Sequence, residues 1–60
     1  MITQQAIYRT ADEMIRMSGF STAKEEAVKF ANDMADKHDD EGRKIWLRVC
    51  AAIEEMETRH

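Results

Sequence analysis

From Asp36 to Gly42 the chain reads Asp-Lys-His-Asp-Asp-Glu-Gly, and the only tryptophan, Trp46, follows closely. Clustered carboxylate oxygens suit a hard cation, and an imidazole among carboxylates suits proton transfer. The spacing argues against both. If Gly42 were the sixth-position glycine of a calcium loop, Lys37 and Arg48 would fall at the first and last positions, where carboxylates are required. Adjacent His38, Asp39 and Asp40 point in different directions, and neither His-x-x-x-His nor Glu-x-x-His spacing occurs. No metal ion or other cofactor is expected. His60 stands at the terminus, where helices fray.

Nucleophilic catalysis would need a base and an orienting group beside Cys50, and neither His38 nor His60 has a place there. A half-buried helical cysteine reads as a small apolar residue. Three short helices are also expected to be too small to enclose the roughly 300 Å³ of a substrate pocket. An enzyme is not expected, and no catalytic residue is assigned. The acidic cluster has a structural reading instead. Asp39 or Asp40 caps a helix, Glu41 favours its dipole from the first turn, and His38 ends the preceding helix, where a positive imidazolium is favoured. Helical phase places His38 on the apolar side, at the corner over the core.

The elements that must hold this corner follow from period and punctuation. There is no proline, and the two glycines each lie between segments with a helical apolar period. The expected fold is all-α, a compact three-helix bundle with helices at about 3–18, 22–38 and 40–58, forming a single domain over 1–60. In the first helix Ile7, Ala11, Met14, Ile15 and Ser18 share a face, Thr3 is the N-cap, and Gly19 takes a left-handed C-terminal position. In the second, Thr22 and Glu25 have capping-box spacing, Phe20 anchors the start, and Ala23, Ala27, Phe30, Ala31 and Met34 form the buried stripe. In the third, Ile45, Val49, Ala52, Ile53 and Met56 are buried, with Trp46 and Cys50 on the edge. Leu47 projects about 150° from that stripe and is expected to be exposed.

Composition narrows the function classes. A chain of 60 residues buries only about 60% of its unfolded surface, which favours a partner or self-association. A single cysteine forms no internal disulfide, no apolar run spans a bilayer, and the start from Met1 lacks a signal peptide's pattern, so a cytoplasmic protein off the membrane is expected. Of the net charge of -3, the middle segment holds the excess: residues 21–42 carry three lysines against seven acids.

Direct binding of nucleic acid is not favoured. A recognition helix after the second turn would present Asp39, Asp40 and Glu41 to phosphates, and one after the first would present Glu25 and Glu26 beside Lys24. Arg43, Lys44 and Arg48 are too few to outweigh those acids. The expected activity is therefore protein binding, with Glu25, Glu26, Asp33, Asp36, Asp39, Asp40, Glu41 and Leu47 as partner-binding residues.

The segment "AVKFANDMADKHDDEGRKIWLRVCAAIEEM" resembles short helical proteins of proteobacteria and their phages. In these an alanine-rich helix leads through an acidic turn and Gly-x-x-x-Trp into a helix reading roughly Ala-x-Ala-Ile. Asp40, Gly42, Trp46, Ala52 and Ile53 carry the likeness, which implies no activity. In size, acidity and helical content the chain is also similar to anti-CRISPR inhibitors, without a shared motif. That likeness implies a phage or mobile-element inhibitor covering a basic, nucleic-acid-binding surface of a host complex. The alternatives are a small helix-turn-helix-like DNA-binding regulator and a homo-oligomeric bundle packing through Leu47, Trp46 and Tyr8.

Overall fold

The computed structural model describes residues 3–59, which contain helices and no strand. The all-α class is as expected, but the count of three helices is corrected to two. Helix α1 runs Gln4–Asp36, and α2 runs Asp40–Thr58. What was expected to be a turn between two helices is one residue, Gly19, at φ 81° and ψ 168°, with helix on both sides. Positive φ with ψ near 180° is a region open almost only to glycine. The positive φ expected of Gly19 is present, but the conformation is mirror-extended rather than left-handed helical. Because helix resumes at once, Thr22 lies inside it. No Thr22–Glu25 capping bond forms among the described residues.

At Gly19 α1 folds over on itself. A straight helix of 33 residues would measure about 50 Å, yet the longest dimension of the molecule is 35 Å. Tyr8 and Lys24, about 24 Å apart along a straight helix, both reach the last turns of α2. The Tyr8 hydroxyl donates to Glu55 Oε2 at 2.6 Å, and Lys24 Nζ lies 2.8 Å from Glu57 Oε1. An N-terminal arm (4–18) and a C-terminal arm (20–36) thus pack against the same helix.

The arms bury most of the apolar stripes that the periodicity predicts, though Ile45 and Met56, expected to be buried, are half-buried and Ser18 is exposed. Ile7 and Ala11 from the first arm, Ala23 and Ala27 from the second, and Val49, Ala52 and Ile53 from α2 form one core cluster. Ala31 is buried too, while Phe30 and Met34 are half-buried. Alanines across the second arm allow close approach to α2, and the aromatic pair Phe30 and Trp46 closes the edge with ring centroids 4.6 Å apart. Such a pair contributes about 0.5–1.5 kcal/mol beyond the area it buries. At the start of α1, Thr3 Oγ1 accepts from the Ala6 backbone N–H at 3.1 Å, the expected N-cap.

The corner between α1 and α2 is three residues long, Lys37, His38 and Asp39. Asp39 N–H donates to the Met34 carbonyl at 2.8 Å and His38 N–H to the Ala35 carbonyl at 3.1 Å. These are the two bonds of a Schellman motif, and they satisfy carbonyls that the helix end leaves open. Its positive-φ position is occupied by His38, at φ 59°. His38 is therefore exposed rather than packed over the core as expected, because the reversal starts before the helical phase can carry it inward.

Asp39 also starts the next helix: its Oδ1 accepts from the Gly42 N–H at 2.9 Å, making it the N-cap, with Asp40 and Glu41 in the first turn. Gly42 lies inside α2, as the helix expected at 40–58 requires, and serves close packing. A Cβ there would come within 2.8 Å of both Asp39 Oδ2 and Met34 Sδ.

Candidate functional site

Of the residues around the corner, His38, Asp39, Asp40 and Glu41 are all exposed, and Asp39 is committed to the cap. Among the described residues no group of three or more His, Cys, Asp or Glu side chains could hold a metal ion. His60 lies outside the described residues. Cys50 is half-buried, and burial, followed by the nearby Glu54, pushes its thiol above the ordinary value. That shift opposes thiolate formation, the reverse of what a nucleophile requires.

The predicted partner-binding residues separate into two surfaces. Glu25, Glu26, Asp33 and Asp36 lie within about 100° of one another on the C-terminal arm by helical phase, opposite Ala23, Ala27 and Ala31. Glu25 and Asp36 are exposed, and Glu26 and Asp33 are half-buried. The corner acids Asp39, Asp40 and Glu41 continue the acidic ground past the end of this arm. Among the described residues, none of Glu25, Glu26, Asp33, Asp36, Asp40 and Glu41 forms an ion pair. By contrast Asp12, Glu55 and Glu57 are paired with Arg16, Arg59 and Lys24. Lys29, on the same face of the arm, pairs with none of its acidic neighbours.

Leu47 stands apart from the acids of the C-terminal arm and, of the predicted partner-binding acids, shares a face of α2 only with Asp40. It is 43% exposed, as its phase predicts, but its neighbours one turn back on α2 are Arg43 and Lys44, and Arg48 adjoins it. All three cations are exposed and without an ion pair among the described residues. Of the two aromatics weighed for self-association, Trp46 packs on Phe30 and Tyr8 bonds Glu55, so both are engaged within the chain.

A groove of about 360 Å³ lies between the N-terminal arm and α2, with Ile7, Ala51 and Ala52 as apolar lining and Gln4, Tyr8, Arg48 and Glu55 as polar lining. The groove is a surface cleft between the two elements rather than an enclosed pocket. It opens to solvent, and among the described residues its lining includes no Ser, Thr, Cys, Lys or His. The Tyr8 phenol is held above its ordinary value, first by its bond to Glu55 and then by burial.

On the other face of α2 sequence reasoning picks out Leu47 as the exposed apolar residue and misses the row to which it belongs. Asp40, Lys44, Leu47, Ala51, Glu54 and Thr58 alternate steps of four and three residues, and every one of them is exposed. This is the spacing of a helix seam, legible in the sequence but masked by the stronger apolar stripe opposite. Among the described residues no helix is long and apolar enough to cross a membrane. No protein-family model, curated protein sequence or solved structure matches the chain.

Proposed function

We propose that the protein is a non-enzymatic, cytoplasmic binding module whose working surface is the acidic side of the C-terminal arm and the corner, and whose partner is a protein with a basic, nucleic-acid-binding surface. The observation that carries this reading is the unpaired state of Glu25, Glu26, Asp33, Asp36, Asp40 and Glu41 among the described residues. Carboxylates that outnumber the nearby Lys29 and Lys37 and form no close ion pair with them project a field that steers a cationic partner and disfavours anionic ones. In size, acidity and helical content such a chain is similar to the anti-CRISPR inhibitors of phages and mobile elements, and on this reading it acts by covering the partner's surface.

Glu25→Lys, Asp36→Lys and Asp40→Lys combined test the reading, since all three are exposed. Asp39 is spared because its carboxylate caps α2. The parent chain, immobilised, is expected to retain from its host a nucleic-acid-binding protein identifiable by mass spectrometry, and to compete with nucleic acid for it. The triple variant is expected to keep its helicity and lose both effects. Equal retention by the two chains would refute an acidic working surface.

A further inference from the structure

We infer that the outer face of α2 is a two-fold, self-complementary interface on which a second copy of this chain docks antiparallel. This inference does not depend on the acidic face of α1. Along the exposed seam the charges are segregated: Lys44 stands towards the N-terminal end and Glu54 towards the C-terminal end, with Leu47 and Ala51 between them. Lys44 and Glu54, Leu47 and Ala51, and Asp40 and Thr58 are each placed symmetrically about Val49. Parallel pairing of two such faces would set Lys44 on Lys44 and Glu54 on Glu54. Antiparallel pairing sets each Lys44 opposite a Glu54 and each Leu47 opposite an Ala51, so charge decides the direction.

The shape of the face agrees with its charge. Leu47 is its one large apolar side chain and is 43% exposed. Ala51, its antiparallel counterpart, lines the groove of about 360 Å³, with Ile7 and Ala52 beside it. Projection and recess therefore lie one turn apart on the same surface, the arrangement an isologous contact requires. Lys44 and Glu54 have no ion-pair partner within their own chain among the described residues. Arg48, close to the two-fold axis, lines the groove together with Glu55 of its own chain. Docking would also cover part of the surface that so short a chain leaves exposed.

Sedimentation equilibrium of the full chain at concentrations from about 10 µM to about 1 mM tests this, a range suited to a contact at the small end of interface sizes. The expected mass rises from 7.0 kDa to twice that value and no further. L47D should stay at the monomer mass throughout with unchanged helicity. K44E should weaken association at least tenfold, and K44E combined with E54K should restore it, because the pair re-forms with its signs exchanged. Restoration also keeps the test independent of any fold defect in L47D. A monomer mass at every concentration, a mass climbing past the dimer, or a charge exchange that fails to restore association would overturn the proposal.

Discussion

Replacing Gly19 by alanine isolates the residue that lets α1 fold back. At φ 81° and ψ 168°, an L-residue is strained by about 1–3 kcal/mol. Alanine also favours a straight helix over glycine by about 1 kcal/mol. The bent state thus loses about 2–4 kcal/mol against a straight α1. A chain of this length has a total stability of about 3–9 kcal/mol, so even the lower loss is a large share of it. Nothing lies within 4 Å of the added Cβ, so the penalty belongs to the backbone alone. Alanine, serine and lysine at this position should therefore cost similar amounts. Thermal unfolding followed by circular dichroism should show a midpoint lowered by about 4–8 °C per kcal/mol. Small-angle scattering should show expansion from the compact Cα radius of gyration of 11.0 Å. A G19A chain as stable and compact as the parent, or a loss that grows with side-chain size, would refute this reasoning.

His38→Gly should raise stability by about 1 kcal/mol, because the positive φ of the corner costs a β-carbon-bearing residue roughly that much; urea denaturation yielding no gain would count against the Schellman assignment. The bond from Tyr8 to Glu55 sets an alkaline limit. The neutral phenol donates to the carboxylate, so ionising it both breaks the bond and sets two negative charges together, holding the Tyr8 pKa above its ordinary 10.0. That contribution is complete below pH 10 and is lost as pH rises through the raised value. Spectrophotometric titration of this single tyrosine should show a midpoint that falls in Glu55→Gln, and an unmoved midpoint would show that the bond does not form.

The buried stripes were legible because Ile7, Ala11, Ala23, Ala27, Ala31, Val49, Ala52 and Ile53 keep the period of a helix face, and burial is what that period encodes. The N-cap at Thr3 and the cap at Asp39 were legible because a short oxygen-bearing side chain before an amphipathic run has one strong use. The helix expected at 40–58 is present as α2, Asp40–Thr58, with the turn before it. The reading of the glycines failed only at the first, and the second has a packing role that period and punctuation do not reveal. Gly19 reverses direction within a single residue, so helix resumes before any cap is needed, and the Thr22 and Glu25 spacing is idle. Gly42 is required by the proximity of Asp39 and Met34, contacts that depend on how the corner closes. Positive φ fell to His38 instead, a residue type in which it is uncommon. The candidate surface was legible as charge, and its grouping was legible in helical phase. Phase alone separates the acids of the C-terminal arm from Leu47 and its neighbours Arg43, Lys44 and Arg48, whereas charge and exposure read without phase join those acids and Leu47 into one surface.

The unequal connections of the two arms set an order of assembly. The C-terminal arm meets α2 through a three-residue corner, so their contacts close a short loop. The N-terminal arm reaches α2 through pairs such as Tyr8 and Glu55, 47 positions apart, and closing longer loops costs more chain entropy. The antiparallel pair of the C-terminal arm and α2 is thus the early-forming unit, and the N-terminal arm is the part that docks last and leaves first. Amide hydrogen exchange reads this directly: residues 4–18 should exchange through a cheaper opening than residues 20–58. Equal protection of both segments would show instead that the molecule opens only as a whole.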